Sequence, residues 1–303
     1  MLHSLYNYFL THKKNRQRNS LHKWLHWQLY KFLKSQLVEH YKNLATSNLR
    51  VDASSNIVVS LTSFPARIDV VHLAIRSVLN QTKKPKQVVL WLANEQFPLG
   101  EQGLPNKLLE LKPLGLKIDF CEDIKAHKKY FFSFQEYSEN LIVTVDDDII
   151  YPRNFLEVLL DTHQKYPNCV VANRVRYMEV GADGFKPYRE WKINKVDGDN
   201  PSKRIFSTGA GGVLYQPRFF QNSFYDIEGI KKTNCRNDDI WLKSGQLANN
   251  VSVAFTNFYV RQFIEIPDSQ KESLFSSNVF EADNDRQMDE IFKYFGITNK
   301  AFD

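Results

Sequence analysis

Five short, mostly apolar runs, Ile57–Leu61, Val88–Leu92, Leu116–Phe120, Leu141–Val145 and Cys169–Ala172, alternate along this chain with stretches of helical periodicity. Runs this short and this rich in β-branched residues read as strands of a parallel sheet buried on both faces. Between the first two, Val70, Val71, Leu73, Ala74, Ile75, Val78 and Leu79 recur at helical spacing until Pro85 breaks the pattern. A second helix is expected over Tyr130–Tyr137, and a third carries Phe155, Leu156, Leu159 and Leu160 before Pro167. Strand–helix–strand order demands right-handed crossovers and helices on both faces. The fold class is therefore α/β, a Rossmann-like and mostly parallel sheet flanked by helices.

The fourth run ends in three consecutive acids, Asp146, Asp147 and Asp148, followed by Ile149-Ile150-Tyr151-Pro152. Three carboxylates at the carboxyl end of a buried strand are costly unless cations neutralise them. That end of an open α/β sheet is also where ligands bind. A divalent hard cation holding a phosphorylated substrate is the simplest partner. The bland alternative is a helix N-terminus, since Pro152 suits a first turn and acids are favoured there; one capping Asp would meet that need.

At 303 residues the chain can bury a full core. No apolar stretch approaches the ~18–20 residues that span a bilayer. Polar residues in the opening MLHSLYNYFLTHKKNR break any signal-peptide h-region. Cys121, Cys169 and Cys235 form no CxxC pair, so neither a disulfide framework nor a zinc knuckle is indicated, and a reducing cytosol is expected.

The net charge of +6 is unevenly spread. Residues 1–50 hold nine Lys/Arg against one acid, Glu39, a charge of +8, which leaves −2 for the other 253 residues. Within that segment Leu21, Trp24, Leu25, Leu29, Phe32 and Leu33 recur at helical spacing. Residues 1–50 are therefore expected to form a basic amphipathic helical extension, able to lie on an anionic membrane surface or to pack on the domain. No nucleic-acid motif accompanies the charge, so no nucleic-acid partner is expected. The polar stretch Asn43–Asn56 reads as a linker into a main domain over 56–265. Residues 266–303 form a helical tail, with Met288, Ile291, Phe292 and Phe295 as its apolar stripe, and Ser273–Asn278 suits a segment over the site. The aromatic, glycine-punctuated stretch 174–205 suits a long loop or hairpin flap.

Several further segments carry chemistry-bearing residues. Thr62-Ser63-Phe64-Pro65-Ala66-Arg67 joins the first strand to its helix and offers backbone donors and an arginine to a phosphate or base, although an Arg there is ordinarily solvated. Asp123 follows the third strand, with Lys128 and Lys129 just beyond it as cations for a diphosphate, or as a solvated cluster. Ser207–Tyr215 contains Gly209, Gly211 and Gly212, which let backbone approach a ligand closely. Asn237-Asp238-Asp239-Ile240-Trp241 offers a carboxylate as general base, or equally an ordinary helix cap.

Taken together, Ser77-Val78-Leu79-Asn80-Gln81-Thr82 with Pro85, Val145-Asp146-Asp147-Asp148, Gly209-Ala210-Gly211-Gly212 and Asn237-Asp238-Asp239-Ile240-Trp241 resemble glycosyltransferases of the A-type fold. The likeness is to the family 2 group of bacterial surface-polysaccharide synthesis and covers roughly residues 56–265. It implies an inverting transferase that moves a sugar from a nucleotide-diphosphate sugar to a saccharide or lipid-linked acceptor. Asp146 and Asp148 match the family's Asp-x-Asp motif and would hold Mn²⁺ or Mg²⁺. Asp239, or its neighbour Asp238, matches the catalytic base. Thr62, Ser63, Arg67, Asp123, Lys129 and Asp147 fall where the donor binds, and Gly211, Gly212 and Trp241 fall at the acceptor or site loop. One departure is the further metal ligand, often His, that many such enzymes supply near the C-terminus, since the last His here is His163.

The resemblance also implies a cytoplasmic enzyme, peripheral on the inner face of the cell membrane. Two rivals share the architecture. A sugar-1-phosphate nucleotidyltransferase would carry a Gly-rich loop after the first strand, where this chain has Ser63-Phe64-Pro65-Ala66-Arg67. A non-catalytic sugar-binding or scaffold protein would not need both acid clusters intact.

Overall fold

The computed structural model describes residues 20–181, 184–196, 198–258, 263–267, 269 and 280–302. Helix α1 (Ser20–Lys42) leads into strand β1 (Ile57–Thr62), helix α2 (Val71–Leu79), strand β2 (Gln87–Ala93), the short helix α3 (Asn106–Leu109) and strand β3 (Leu116–Cys121). Helix α4 (Lys128–Glu136), strand β4 (Leu141–Thr144), the two-residue strand β5 (Ile149–Ile150), helix α5 (Phe155–Lys165) and strand β6 (Val170–Ala172) follow. The bounds of β1, β2, β3, β4, β6, α2, α4 and α5 lie within two residues of those expected from periodicity, whereas α3 and β5 had no expectation.

A seven-stranded sheet forms the centre, with strands β12 (Val213–Tyr215) and β13 (Val253–Phe255) completing the order β13-β6-β12-β4-β1-β2-β3. All neighbours are parallel except β12, which runs antiparallel to both β4 and β6. Alternate side chains go to opposite faces. Val59, Leu61, Leu90 and Val143 pack with α2 and α5, while Val58, Val89, Ile142 and Val213 pack with α4, α7 (Asp238–Ala248) and α8 (Phe280–Tyr294). Both faces are covered, as a parallel sheet requires.

The order of strands sets the position of the site. From β1 the chain steps outward through β2 and β3, then returns to place β4 on the other side of β1. The carboxyl ends of β1 and β4 thus flank a topological switch point, the crevice in which open α/β sheets bind ligands.

Three segments differ from the sequence reading. The chain over 174–205 is structured: strands β7 (Val175–Tyr177), β10 (Lys192–Ile193) and β11 (Ile205–Ser207) form an antiparallel sheet in the order β10-β7-β11. Strands β8 (Val180–Gly181) and β9 (Gly184–Phe185) pair antiparallel beside it, with Phe185 against Phe292 and Phe302. The stretch before β1 is laid on the domain rather than free, because Leu49 is buried and the Arg50 and Asp52 amides donate to Leu79 and Pro85 carbonyls. The acids after β4 do not cap a helix either. The β5 strand comes directly after them and pairs with β14 (Ile264–Glu265), and α5 begins only at Phe155.

Helix α1 is half committed to the domain. Leu33, Leu37, Val38 and Tyr41 pack against Leu73, Ala74, Ile150, Ile264 and Ile266. No described helix is long and apolar enough to cross a membrane. The basic residues Lys13, Lys14, Arg16 and Arg18, and the segment Ser273–Asn278, lie outside the described residues. At the other end α8 packs on α7, with Trp241 edge-on to Phe295 at 4.9 Å between ring centroids. The three cysteines are free and buried.

Candidate active site

The turn after β1 and the turn after β4 meet through Asp147. Its carboxylate accepts from Ser63 Oγ at 2.6 Å and from Arg67 Nη1 at 2.7 Å, and the same guanidinium nitrogen stands 3.1 Å from Asp148. Burial pushes the Asp147 carboxyl up from its ordinary value, against the pull of Arg67 and Ser63. Arg67 in turn donates through Nε to the Ser269 carbonyl, and the Ile266 amide donates to the Asp148 carbonyl. The segment that carries β14 therefore straps the acid triplet in place. Ser63, Arg67 and Asp147, expected where a donor binds, hold one another, and Arg67 also meets Asp148.

Asp146 turns the other way, toward Lys129. The Lys129 ammonium, nearly fully buried, lies 2.9 Å from Asp146 and 3.0 Å from Asp238. Burial pulls the lysine's pKa down, but Asp146, Asp238 and Asp239 outweigh it and hold it well above the ordinary value. The residue beside it, Lys128, serves a different acid. It pairs with Asp123 at 2.6 Å, which also accepts from Lys125 and Gln96. Despite burial, these lysine contacts bring Asp123 down to about 2. The two lysines expected to neutralise a diphosphate are thus each paired with protein carboxylates.

Asp239 sits in the first turn of α7, where Asn237 caps the helix by accepting from the Asp239 amide at 3.0 Å. The capping reading of this motif therefore holds, with Asp238 and Asp239 following the cap in the helix's first turn. The Asp239 carboxylate accepts from the Gly209 amide at 3.0 and 3.2 Å. Burial and the neighbouring Asp238 charge raise its pKa to about 8, with Lys129 opposing. Gly209 is where the two halves converge. A Cβ there would stand 3.0 Å from Lys129 Nζ and 3.4 Å from an oxygen of both Asp146 and Asp239.

The other glycines serve the backbone. A Cβ on Gly211 would come within 2.5 Å of the Arg174 side chain, and Gly212 holds a φ of +79° that other residues rarely adopt. Thr62 donates to the Trp91 carbonyl at 2.8 Å, joining β1 to β2. Trp241 corrects the sequence reading. Its indole is wholly buried and donates to the Phe224 carbonyl at 3.1 Å, so it packs beneath the site and forms no wall of it.

Several positioning residues escaped the sequence analysis. Tyr151, buried, accepts the Asp146 amide on its hydroxyl at 2.9 Å. His127, also buried, joins Tyr130 Oη at 2.7 Å to the Cys235 carbonyl at 2.8 Å, tying the start of α4 to the turn that carries Asp238 and Asp239. From the C-terminal helix, Gln287 accepts the Arg236 and Asn237 amides, and Asn284 accepts from the Asn237 side chain. The sequence signal for these was poor, because each acts through a contact with a residue distant in the chain.

Arg67 thus meets Asp147 and Asp148, and Lys129 meets Asp146 and Asp238, among the described residues. Among the described residues no group of three or more His, Cys, Asp or Glu side chains is arranged to hold a metal. The donor set of Asp146 and Asp148 fits the partial kind of site, in which one or two carboxylates share the ion with water and substrate phosphates. Asp146 meets Lys129 through one oxygen, which does not exhaust a carboxylate's acceptor capacity. Compared with known proteins, the chain matches no protein-family model and no curated sequence.

Proposed function

We propose that the protein is a metal-dependent, inverting glycosyltransferase that takes its sugar from a nucleotide-diphosphate donor. The observation that carries this reading is the convergence on Gly209: a strand-end acid, a buried lysine and a second, protonatable acid meet at the switch point of the sheet. A donor would lie along the carboxyl edge from the Asp123 cluster to Asp146 and Asp148. From β3 to β4 that edge spans three interstrand spacings, roughly 14 Å, the reach of a base, ribose and diphosphate laid out in a row.

In this proposal Asp146 and Asp148 would hold Mn²⁺ or Mg²⁺, which supplies charge stabilisation on the departing diphosphate. Ser63 and Arg67 keep the triplet rigid, so the acids need not reorganise when the donor arrives. Asp239 takes the proton of the acceptor hydroxyl. A carboxylate raised to about 8 is a far stronger base than an ordinary aspartate, and at neutral pH it stands near the balance a general base needs. The buried Lys129 keeps Asp239 from holding its proton still more tightly. The acceptor would be a saccharide or a lipid-linked sugar of the cell envelope, met at the cytoplasmic face of the membrane.

The test is release of nucleoside diphosphate from a panel of nucleotide sugars in the presence of Mn²⁺ or Mg²⁺. Release that Asp239→Asn abolishes, while nucleotide binding is retained, supports the reading. Release that Asp239→Asn leaves unchanged refutes Asp239 as the base.

A further inference from the structure

Helix α1 carries two apolar stripes on different sides, and only one is covered. Leu33, Leu37 and Tyr41 repeat every four residues and are buried against the domain. Leu25, Leu29 and Phe32 follow the i, i+4, i+7 pattern of a separate face, with exposures of 51%, 36% and 57%, and Trp24 beside them is 55% exposed. The single amphipathic face expected from the sequence is therefore split, with Leu33 turned inward and Leu25 and Phe32 outward. Large apolar side chains grouped on one exposed helix face mark an interaction surface.

We propose that this face docks on an anionic lipid bilayer. The argument is charge. The first fifty residues carry +8 while the rest of the chain carries −2, so the exposed stripe belongs to a strongly basic stretch of the sequence. Lys31 lies with its ammonium 3.5 Å from the Trp27 ring centroid, and Lys34 borders the packed side through Glu265 at 3.6 Å. Leucine and aromatic side chains that enter the headgroup boundary, flanked by lysines that meet anionic lipid, are what an interfacial helix requires. A second copy of the chain fits less well, since pairing two such helices would bring like charges together. Nucleic acid would use the lysines but has no need of a leucine and phenylalanine stripe.

The packed half of α1 gives the docking a consequence for the site. Tyr41 donates from its hydroxyl to the Tyr151 carbonyl at 3.4 Å, and the Tyr151 hydroxyl accepts the Asp146 amide. The same helix rests on Ile150, two residues past the acid triplet, and on Ile264 and Ile266 of the strap. A bilayer that holds α1 therefore holds the acid triplet at a fixed height above the headgroups, within reach of a lipid-linked acceptor. That last step rests on the glycosyltransferase reading; the docking itself does not.

The experiment is cosedimentation of the full chain with phosphatidylcholine vesicles, with and without phosphatidylglycerol, beside the variant Leu25→Ser/Leu29→Ser/Phe32→Ser. All three positions are on the exposed face, so the fold should survive. A nucleotide titration of the variant, run in parallel, separates the two readings, because the docking face touches no donor residue. Binding to the anionic vesicles that weakens with salt, and that falls about ten-fold or more in the variant, is the expected result. Absence of wild-type binding, or equal binding by the variant, would overturn the proposal. So would a wild-type dimer in light scattering that the variant abolishes without any vesicle binding.

Discussion

Replacing Asp239 by asparagine should stabilise the protein at pH 8 while destroying its activity. The side chain is buried beside Asp238 and feels Asp146 as well, with Lys129 as the nearby cation that opposes them, and its pKa stands at about 8 against an ordinary 3.8. In that window the folded protein keeps a proton that the unfolded chain has released. Stability therefore falls as pH rises from about 4 to about 8, by up to about 1.4 kcal/mol per pH unit. Below that window both states are protonated and the charge has no cost. Asparagine cannot ionise and so escapes the loss. It can still accept from the Gly209 amide, and its smaller acceptor capacity forfeits about 1 kcal/mol at most. Urea denaturation in the presence of a chelator should then show Asp239→Asn more stable than wild type by at least about 2 kcal/mol at pH 8, with little or no gain at pH 4. A variant whose stability difference is the same at both pH values would refute the reasoning, because Asp239 would then be an ordinary ionised acid paired by Lys129.

The same cluster yields three further expectations. Lys129→Met strands Asp146 and Asp238 without their cation and should cost about 3–5 kcal/mol in denaturant titrations at pH 8. Gly209→Ala adds no backbone strain but places a methyl 3.0 Å from the Lys129 ammonium, which Asp146 and Asp238 hold in place, so the melting temperature should fall. Binding of a nucleoside diphosphate with Mn²⁺, read by calorimetry, should weaken about ten-fold, or about 1.4 kcal/mol. Trp241→Phe loses the bond to the Phe224 carbonyl and some core volume, costing about 1–3 kcal/mol in thermal unfolding. Its nucleotide binding should match wild type, because Trp241 does not line the site.

The sheet was legible because burial on both faces forces continuous apolar runs, and β1, β2, β4 and β6 obey that rule, while the edge strand β3 alternates with the half-buried Lys117 and Asp119. Strand β12 was not, because Val213-Leu214-Tyr215 is short and follows glycines that suggest a turn more strongly than a strand. The acids were visible as motifs, but their division of labour was not. Nothing in Asp146-Asp147-Asp148 says that the middle one is buried on Ser63 and Arg67 while the outer two meet Lys129 and Arg67. Lys128 and Lys129 are adjacent in sequence and yet serve different acids, since neighbouring side chains at a helix start point about 100° apart. Trp241 looked like a site residue by its place in a motif, although an aromatic two residues past the acids of an amphipathic helix turns into the core. His127, Tyr151, Asn284 and Gln287 are readable only once the fold has brought distant segments together.

A donor site on Asp146 and Asp148 is best probed by calorimetric titration of nucleoside diphosphates and their sugars, with and without Mn²⁺, on wild type, Asp146→Asn and Asp148→Asn. One nucleotide should bind, only with the cation, and its binding should be lost in both variants, whose folds are kept by the near-isosteric change. Failure of every nucleotide to bind wild type, with or without the cation, would contradict such a site and leave the acid triplet a purely structural device.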